Sequence, residues 1–239
     1  MRKPFVIFWS ILLLALLALS CGGSSDEGSG EPEEGKEAEE AEEGSPGGVP
    51  QAVLAIEGDA EDAIDMVFVS NWERVAADAD SISIDWAQFE ASSEGSGVTD
   101  EQRREMDEAT ADLKAAAQAE DELAARQAAN DVSRVIVDVF DLFEFKIPSD
   151  VGRLDWLERQ VIIDADRDDW EAIAVDIDQT RETFDRVKPD VVAEGGEEEA
   201  RDFEASIVKQ GELAAAHDRA IVDEANIALE LVDALESVY

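Results

Sequence analysis

The chain has few of the residues that usually carry catalysis or hold metals and cofactors. Among its 239 residues there is one cysteine, Cys21, and one histidine, His217. A single cysteine excludes an internal disulfide framework, so the fold depends on its apolar core. Zinc and haem sites of ordinary composition, and Ser-His-Asp or Cys-His catalysis, need more of these residues than the chain has. We therefore expect no cofactor and no enzyme activity, with hydrolysis by a carboxylate pair as the alternative.

Basic residues are also scarce. Nineteen lysines and arginines stand against sixty aspartates and glutamates, which gives a net charge of −41. This balance excludes binding to nucleic acid or to anionic lipid headgroups through a basic surface. It favours cationic partners or counterions. The alternative interpretation is a strongly solvated acidic surface with no specific ligand.

One long apolar run is present, at the beginning of the chain. Arg2 and Lys3 precede a run over residues 5–19, which ends at Ala18-Leu19-Ser20-Cys21. A basic start, a short apolar segment and a small residue are typical of an export signal. With the cysteine at the cleavage point, the segment resembles a bacterial lipoprotein signal. The alternative is an uncleaved signal anchor, although the run is short for a spanning helix, which needs about 20 residues.

The resemblance implies a division of the chain into three parts. Residues 1–20 would be the signal peptide, and Cys21 would be lipidated and become the new N-terminus. Residues 21–50 are rich in Gly, Ser, Pro and Glu, and such a segment buries too little apolar surface to fold. It predicts an acidic disordered tether that reaches roughly 30 Å. Residues 51–239 hold fifty acidic and sixteen basic residues and form the predicted folded domain.

Helical periodicity begins at residue 51. Apolar residues recur at alternating spacings of four and three, the pattern of one helix face: Phe68, Trp72, Val75, Ala79, Ile82, Trp86 and Phe89. A glycine-containing segment at 94–97 is expected to end this helix. Thr99 and Gln102 then have the spacing of a capping box. The second helix is expected to end before Pro148.

The pattern repeats 98 residues later, where Trp170 takes the place of Trp72. Breaks are expected at Lys188-Pro189 and at Gly195-Gly196. The predicted fold is therefore all-α: a long antiparallel four-helix bundle built from two duplicated hairpins, 51–146 and 149–239. Facing residues should have a constant index sum, 195 in the first hairpin and 387 in the second. The alternative is that each hairpin dimerises with another chain.

His217 is the first candidate site residue. The sum of 387 places it opposite Trp170, with Asp166 about one turn away on the facing helix. These three residues, Asp166, Trp170 and His217, are a candidate ligand-binding, cation-binding or proton-sensing site. The structural interpretation is a histidine that packs on a tryptophan and binds one carboxylate, and it is the one we favour.

Asp164, Asp166 and Asp168 begin with the spacing of a calcium loop. The pattern then fails, because Asp169 stands where glycine is required and Val175 where the closing glutamate is required. On a continuous helix the three aspartates point to different faces. We expect a solvated charged face here and no metal site, with a loose cation site at a helix break as the alternative.

The aromatic residues also admit two interpretations. Trp72, Trp86, Trp156 and Trp170 have the composition of an aromatic ligand cage, but their helical spacing indicates core positions. Three phenylalanines near Trp156 are expected to plug the junction of the two hairpins: Phe140, Phe143 and Phe145.

Together these observations predict a lipid-anchored protein at the extracytoplasmic face of the cell membrane. Its expected role is that of a non-catalytic binding or envelope interaction module. A protein partner would need an apolar patch that the bundle leaves exposed. The alternative is a protein that binds cations or cationic solutes and serves a transporter, for which carboxylates should converge in a cleft.

Overall fold

The computed structural model describes residues 48–92 and 94–239. The predicted signal peptide, Cys21 and the tether up to residue 47 lie outside the described residues. Within these ranges the chain is all-helical and has no strand, as the sequence predicts. No helix in the described ranges is both long and apolar enough to span a bilayer.

Eight α-helices follow one another along the described chain, and a short 3-10 turn at Glu94–Gly97 lies between the second and the third. Their bounds are Gln51–Phe68 (α1), Trp72–Ala91 (α2), Asp100–Ala119 (α3), Glu122–Phe140 (α4), Ser149–Asp166 (α5), Trp170–Ala193 (α6), Glu197–Ala216 (α7) and Ile221–Glu236 (α8). Each helix up to α4 packs on the next, and α1 packs on α4. Helices α5 to α8 have the same pattern of contacts, and α4 packs on α5.

Each set of four helices surrounds its own apolar core. The first core is built around Ile56, Ile82, Met106 and Val139. The second is built around Leu154, Ile173, Phe203 and Ala228. We call residues 48–146 the first repeat and residues 147–239 the second repeat. Val49, which the sequence analysis assigns to the tether, is buried in the first core.

The prediction of four long helices was wrong, because each predicted helix is broken near its middle into two. At the four breaks a residue other than glycine has a left-handed backbone: Ser70 (φ 55°), Glu120 (φ 51°), Asp168 (φ 56°) and His217 (φ 51°). In the first break the amide of Asn71 donates to the carbonyl of Met66 at 2.9 Å. This six-to-one bond recurs at the other three breaks and is the signature of a Schellman motif.

Polar residues then start the next helix. The side chains of Asn71, Asp121 and Asp169 each accept a hydrogen bond from the backbone amide three residues on. Such N-caps satisfy an amide that the helix leaves without a partner. The pairing of a left-handed residue with an N-cap therefore reverses the chain within three residues.

The breaks predicted from glycine have mixed outcomes. The turn at 94–97 and the capping box of Thr99 and Gln102 are present. Gly95 is required there, because a Cβ atom would lie 2.4 Å from the carbonyl oxygen of Phe89. Gly195 has φ 97° and follows the end of α6. The break predicted at Lys188-Pro189 was wrong, since Pro189 lies inside α6.

The two repeats share one register at their first two helices. Helices α1 and α5 have equal lengths and begin 98 residues apart, as do the first residues of α2 and α6. Two of the predicted facing pairs are in contact: the rings of Phe184 and Phe203 lie 5.0 Å apart, and so do those of Trp170 and His217. Both pairs have the predicted index sum of 387. The pairing holds although the predicted helices are broken, because α6 and α7 remain neighbours.

Candidate functional site

The structure brings together Trp170 and His217 of the predicted site. Their rings are stacked at 5.0 Å, with an angle of 3° between the ring planes. Trp170 begins α6, and His217 is the left-handed residue that ends α7. Asp166 instead pairs with two arginines, Arg126 at 2.6 Å and Arg219 at 3.3 Å. The stacked pair therefore closes one end of the second repeat, and the carboxylate beside it is already neutralised.

Each of the three aspartates with calcium-loop spacing pairs with an arginine, and Asp166 and Asp168 share Arg219. Asp164 is 6% exposed and accepts hydrogen bonds from Gln160 and Arg167. Asp168 lies in the turn and pairs with Arg219 at 3.0 Å. In the described part of the chain, no cluster of three or more histidine, cysteine or acidic side chains has the geometry to hold a metal ion.

The tryptophans do not gather into a cage. Trp86 is 3% exposed and packs on Phe89 in the first core, with ring centroids 5.6 Å apart. Trp72 packs at the edge of the first core, and Trp170 at the edge of the second. The predicted phenylalanine plug belongs to the first repeat, where the ring centroids of Phe143 and Phe89 lie 6.1 Å apart.

Half-buried acidic residues between the repeats form a feature that sequence reasoning missed. Between the two repeats, Arg159 of α5 pairs with Glu61 of α1 at 2.9 Å and with Asp155 at 2.6 Å. Burial and then the neighbouring Glu61 raise the pKa of Glu57 well above its usual value. Burial and then Asp155 raise the pKa of Glu236 to about 8. The guanidinium of Arg159 thus lies near at least four carboxyl groups, and its single positive charge leaves most of their negative charge uncompensated.

A fully buried acid, Glu158, lies in the core of the second repeat. Glu158 is 0% exposed, and its Oε2 accepts a hydrogen bond of 2.8 Å from Nε2 of Gln210. Its Oε1 is buried without a hydrogen-bond partner among the described residues. Burial raises the pKa of Glu158 to about 8, although the Gln210 hydrogen bond opposes the shift. The group is therefore held as a neutral acid at neutral pH.

The third feature is an open depression of about 340 Å³ at the beginning of α6. Its lining combines carboxylates with short apolar side chains: Asp169, Glu171, Ala172, Val175 and Asp176. Asp176 is 8% exposed, and its Oδ2 has no hydrogen-bond partner in the described structure. Burial, then Asp164 and then Asp169 raise the pKa of Asp176 to about 8. A cation in this depression would relieve both the repulsion and the loss of solvation.

The sequence contained a signal for this buried acid. Asp176 stands three residues after Ile173, on the apolar face of α6, and Asp78 has the same place after Val75 in α2. An acid that recurs on the apolar face of both repeats indicates a buried polar contact.

Comparison of the chain with protein-family models, with curated protein sequences and with solved structures gave no match.

Proposed function

We propose that this protein is a lipid-anchored, extracytoplasmic binding protein for cationic solutes, with no catalytic role. The observation that carries the proposal is the set of buried carboxyl groups that the protein's own bases leave uncompensated. Asp176 is the member that lines an open depression, and its buried Oδ2 has no hydrogen-bond partner in the described structure. Carboxyl groups of this kind bind a cation when its charge replaces the proton that they otherwise hold.

A scaffold that docks a protein partner has less support. In the part of the chain that the structure describes, the large apolar side chains that remain exposed are spread over five helices and two connections: Phe68, Val69, Ile84, Leu142, Val175, Val192, Val208 and Ile227. Single exposed apolar residues are ordinary on soluble proteins, whereas docking sites are contiguous patches. The distribution of buried acids is the more unusual property, and it supports the binding of cations over the docking of a protein partner.

The proposed anchor is the lipid on Cys21. The acidic segment that follows would hold the helical domain away from the membrane, whose anionic headgroups repel it. In this arrangement the carboxylates would meet solutes on the outer side of the membrane. A transporter in the same membrane is the partner class that would receive a cationic solute.

Binding is tested by thermal unfolding of the purified full chain in the presence of single cations. Calcium, magnesium, spermidine and an alkylguanidinium salt are each compared with sodium chloride at the same ionic strength. A ligand present at a hundred times its dissociation constant stabilises the folded state by about 2.7 kcal/mol. A rise in Tm with one class of cation supports the proposal. An equal rise with every salt means that the acids form only a screened surface, which contradicts it.

The anchor is tested separately with Cys21→Ser. Expressed in a bacterium that processes lipoproteins, the wild-type chain should incorporate labelled fatty acid and sediment with membranes. The variant should lose the label and the lipid-dependent part of its membrane association. Label that persists in the variant would show that Cys21 is not the attachment point.

A further inference from the structure

The two repeats differ in the side chains that surround one pair of equivalent aspartates. Asp78 in α2 and Asp176 in α6 are 98 residues apart, and they are 1% and 8% exposed. The register is fixed by their surroundings, because the left-handed residues Ser70 and Asp168 and the N-caps Asn71 and Asp169 keep the same separation. The first repeat therefore shows what the second repeat lacks.

In the first repeat an arginine pairs with the buried aspartate. Nε of Arg74 lies 2.9 Å from Oδ1 of Asp78 and 2.6 Å from Oδ2 of Asp62 on α1. Burial raises the pKa of Asp78 to about 7, and Arg74 is the cation that opposes this shift. The guanidinium thus links two carboxylates from neighbouring helices in a charge-assisted contact.

In the second repeat the residue equivalent to Arg74 is Ala172, and the depression of about 340 Å³ lies against it. The residue equivalent to Asp62 is Gln160, so the carboxylate pair of the first repeat is not retained, but Asp164 of α5 lies beside Asp176 of α6 and shares a side-chain hydrogen bond with it. Arg167 pairs with Oδ1 of Asp164 at 3.0 Å, and Gln160 donates to its Oδ2 at 3.1 Å. Neither group donates to Oδ2 of Asp176, which is buried without a hydrogen-bond partner in the described structure, as Oδ2 of Asp78 is. The repeats differ in that Arg74 lies 2.9 Å from Oδ1 of Asp78, whereas no described arginine pairs with Asp176.

We propose that the depression beside Ala172 is a binding site for an alkylguanidinium cation, whose head group takes the place that Arg74 has in the first repeat. The planar head would bind Asp176, with Asp169 and Glu171 at the rim adding negative potential. Ala172 and the half-exposed Val175 would contact the alkyl chain. A guanidinium suits this site because its several donors reach more than one carboxylate oxygen at once. The inference rests on the proposed function and names the ligand class and the site.

The test is a titration of the full chain with N-ethylguanidinium chloride, followed by the backbone amide signals in NMR. N-ethylurea, which has a similar shape and no charge, is the control ligand. We expect the amides of residues 169–176 to shift with the guanidinium and not with the urea. The equivalent amides of residues 71–78 should respond at least tenfold more weakly, because Arg74 already binds Asp78.

Three variants locate the site. Ala172→Arg should supply the missing guanidinium, raise Tm and weaken ligand binding at least tenfold. Asp176→Asn should weaken binding by a similar factor and serves as the test if Ala172→Arg fails to fold. Arg74→Ala should make the amides of the first repeat respond to the ligand.

Unchanged binding in both Ala172→Arg and Asp176→Asn would overturn this site. A specific cation effect on Tm that persists in those variants would leave the proposed function intact. If N-ethylguanidinium moves no amide of the wild type, the inference is wrong, and the other cations in the unfolding screen decide the proposed function separately. Equal responses of the two repeats in the wild type would also contradict it, since the difference between Arg74 and Ala172 would then have no effect.

Discussion

At the scale of single residues, the important property is where the acids lie. Of the fifty acidic residues in 51–239, most are solvated, but a few lie in the core or between the repeats with too little positive charge nearby to compensate them. Composition predicts a preference for cations without saying which carboxylates would bind them. Asp78 and Asp176 become distinctive only when the helix face and the repeat register are known together. Arithmetic on the sequence did predict the neighbours Trp170 and His217.

The substitution Glu158→Gln measures how much a buried acid lowers the free energy of unfolding. We expect Glu158→Gln to raise the free energy of unfolding by about 1–3 kcal/mol at pH 9, because the neutral amide removes a charge that the core cannot solvate. At pH 5 the wild-type side chain carries its proton, so the two proteins should differ by less than about 1 kcal/mol. The measurement is urea unfolding at both pH values. Glu212→Gln, at an exposed position, is the control and should have little effect at either pH.

At the scale of helices, the sequence predicted the helix faces correctly except at Phe68, which is exposed, and it predicted the helix lengths wrongly. Glycine marked the turn at 94–97 and the end of α6, and these breaks are present. The other four turns have Ser, Glu, Asp and His in the left-handed position, where glycine is the usual residue. The apolar pattern continues through them, because α1 and α2 each bury one face of the same core. The available signal was the N-cap, as Asn71-Trp72-Glu73 and Asp169-Trp170-Glu171 recur in both repeats.

Glu120 tests the interpretation of these turns. Its backbone has φ 51°, which strains a residue that has a Cβ atom. We expect Glu120→Gly to raise the free energy of unfolding by about 0.5–1 kcal/mol, since glycine adopts this conformation freely. Glu108→Gly, in the interior of the same helix, should lower it by about 1 kcal/mol. Chemical unfolding of both variants compares the two positions, and a loss of stability in both would contradict the left-handed turn.

At the scale of the whole molecule, the raised pKa values predict an unusual dependence of stability on pH. Burial raises the pKa of Asp155 to about 7, and the pKa values of Glu158 and Asp176 to about 8. In the unfolded chain such groups titrate near 4. Between about pH 4 and pH 8 the folded state therefore binds more protons than the unfolded state, and the free energy of unfolding falls as pH rises.

We expect the full chain to be more stable at pH 5.5 than at pH 8.5 by at least about 1 kcal/mol, since a shift of one pKa unit in one group contributes about 1.4 kcal/mol. Urea unfolding at 0.3 M sodium chloride limits the contribution of general repulsion among surface acids. The double variant Glu158→Gln, Asp176→Asn should have a smaller difference between the two pH values. A wild-type stability that rises with pH would mean that these carboxyl groups are compensated in the folded protein.

The duplication explains how a domain with few catalytic or metal-binding residues can acquire a binding site. The two repeats keep the same helix register and the same buried aspartate, but Arg74 has no counterpart at Ala172. Pairing the repeats around the single Arg159 adds further carboxyl groups that lack a full complement of bases. A protein that binds cationic solutes needs only this imbalance at a place open to solvent, and the depression at α6 provides one.

The most direct test of the account is the titration of the Asp176 carboxyl group, followed by the ¹³C NMR signal of its side chain with and without N-ethylguanidinium. Without ligand, the account predicts a midpoint at about pH 8, because the group is buried without a cation. With saturating ligand the midpoint should fall by more than one pH unit, and N-ethylurea should leave it unchanged. A midpoint near the ordinary aspartate value in the free protein, unmoved by the guanidinium, would contradict the central claim that this carboxylate lacks a cation.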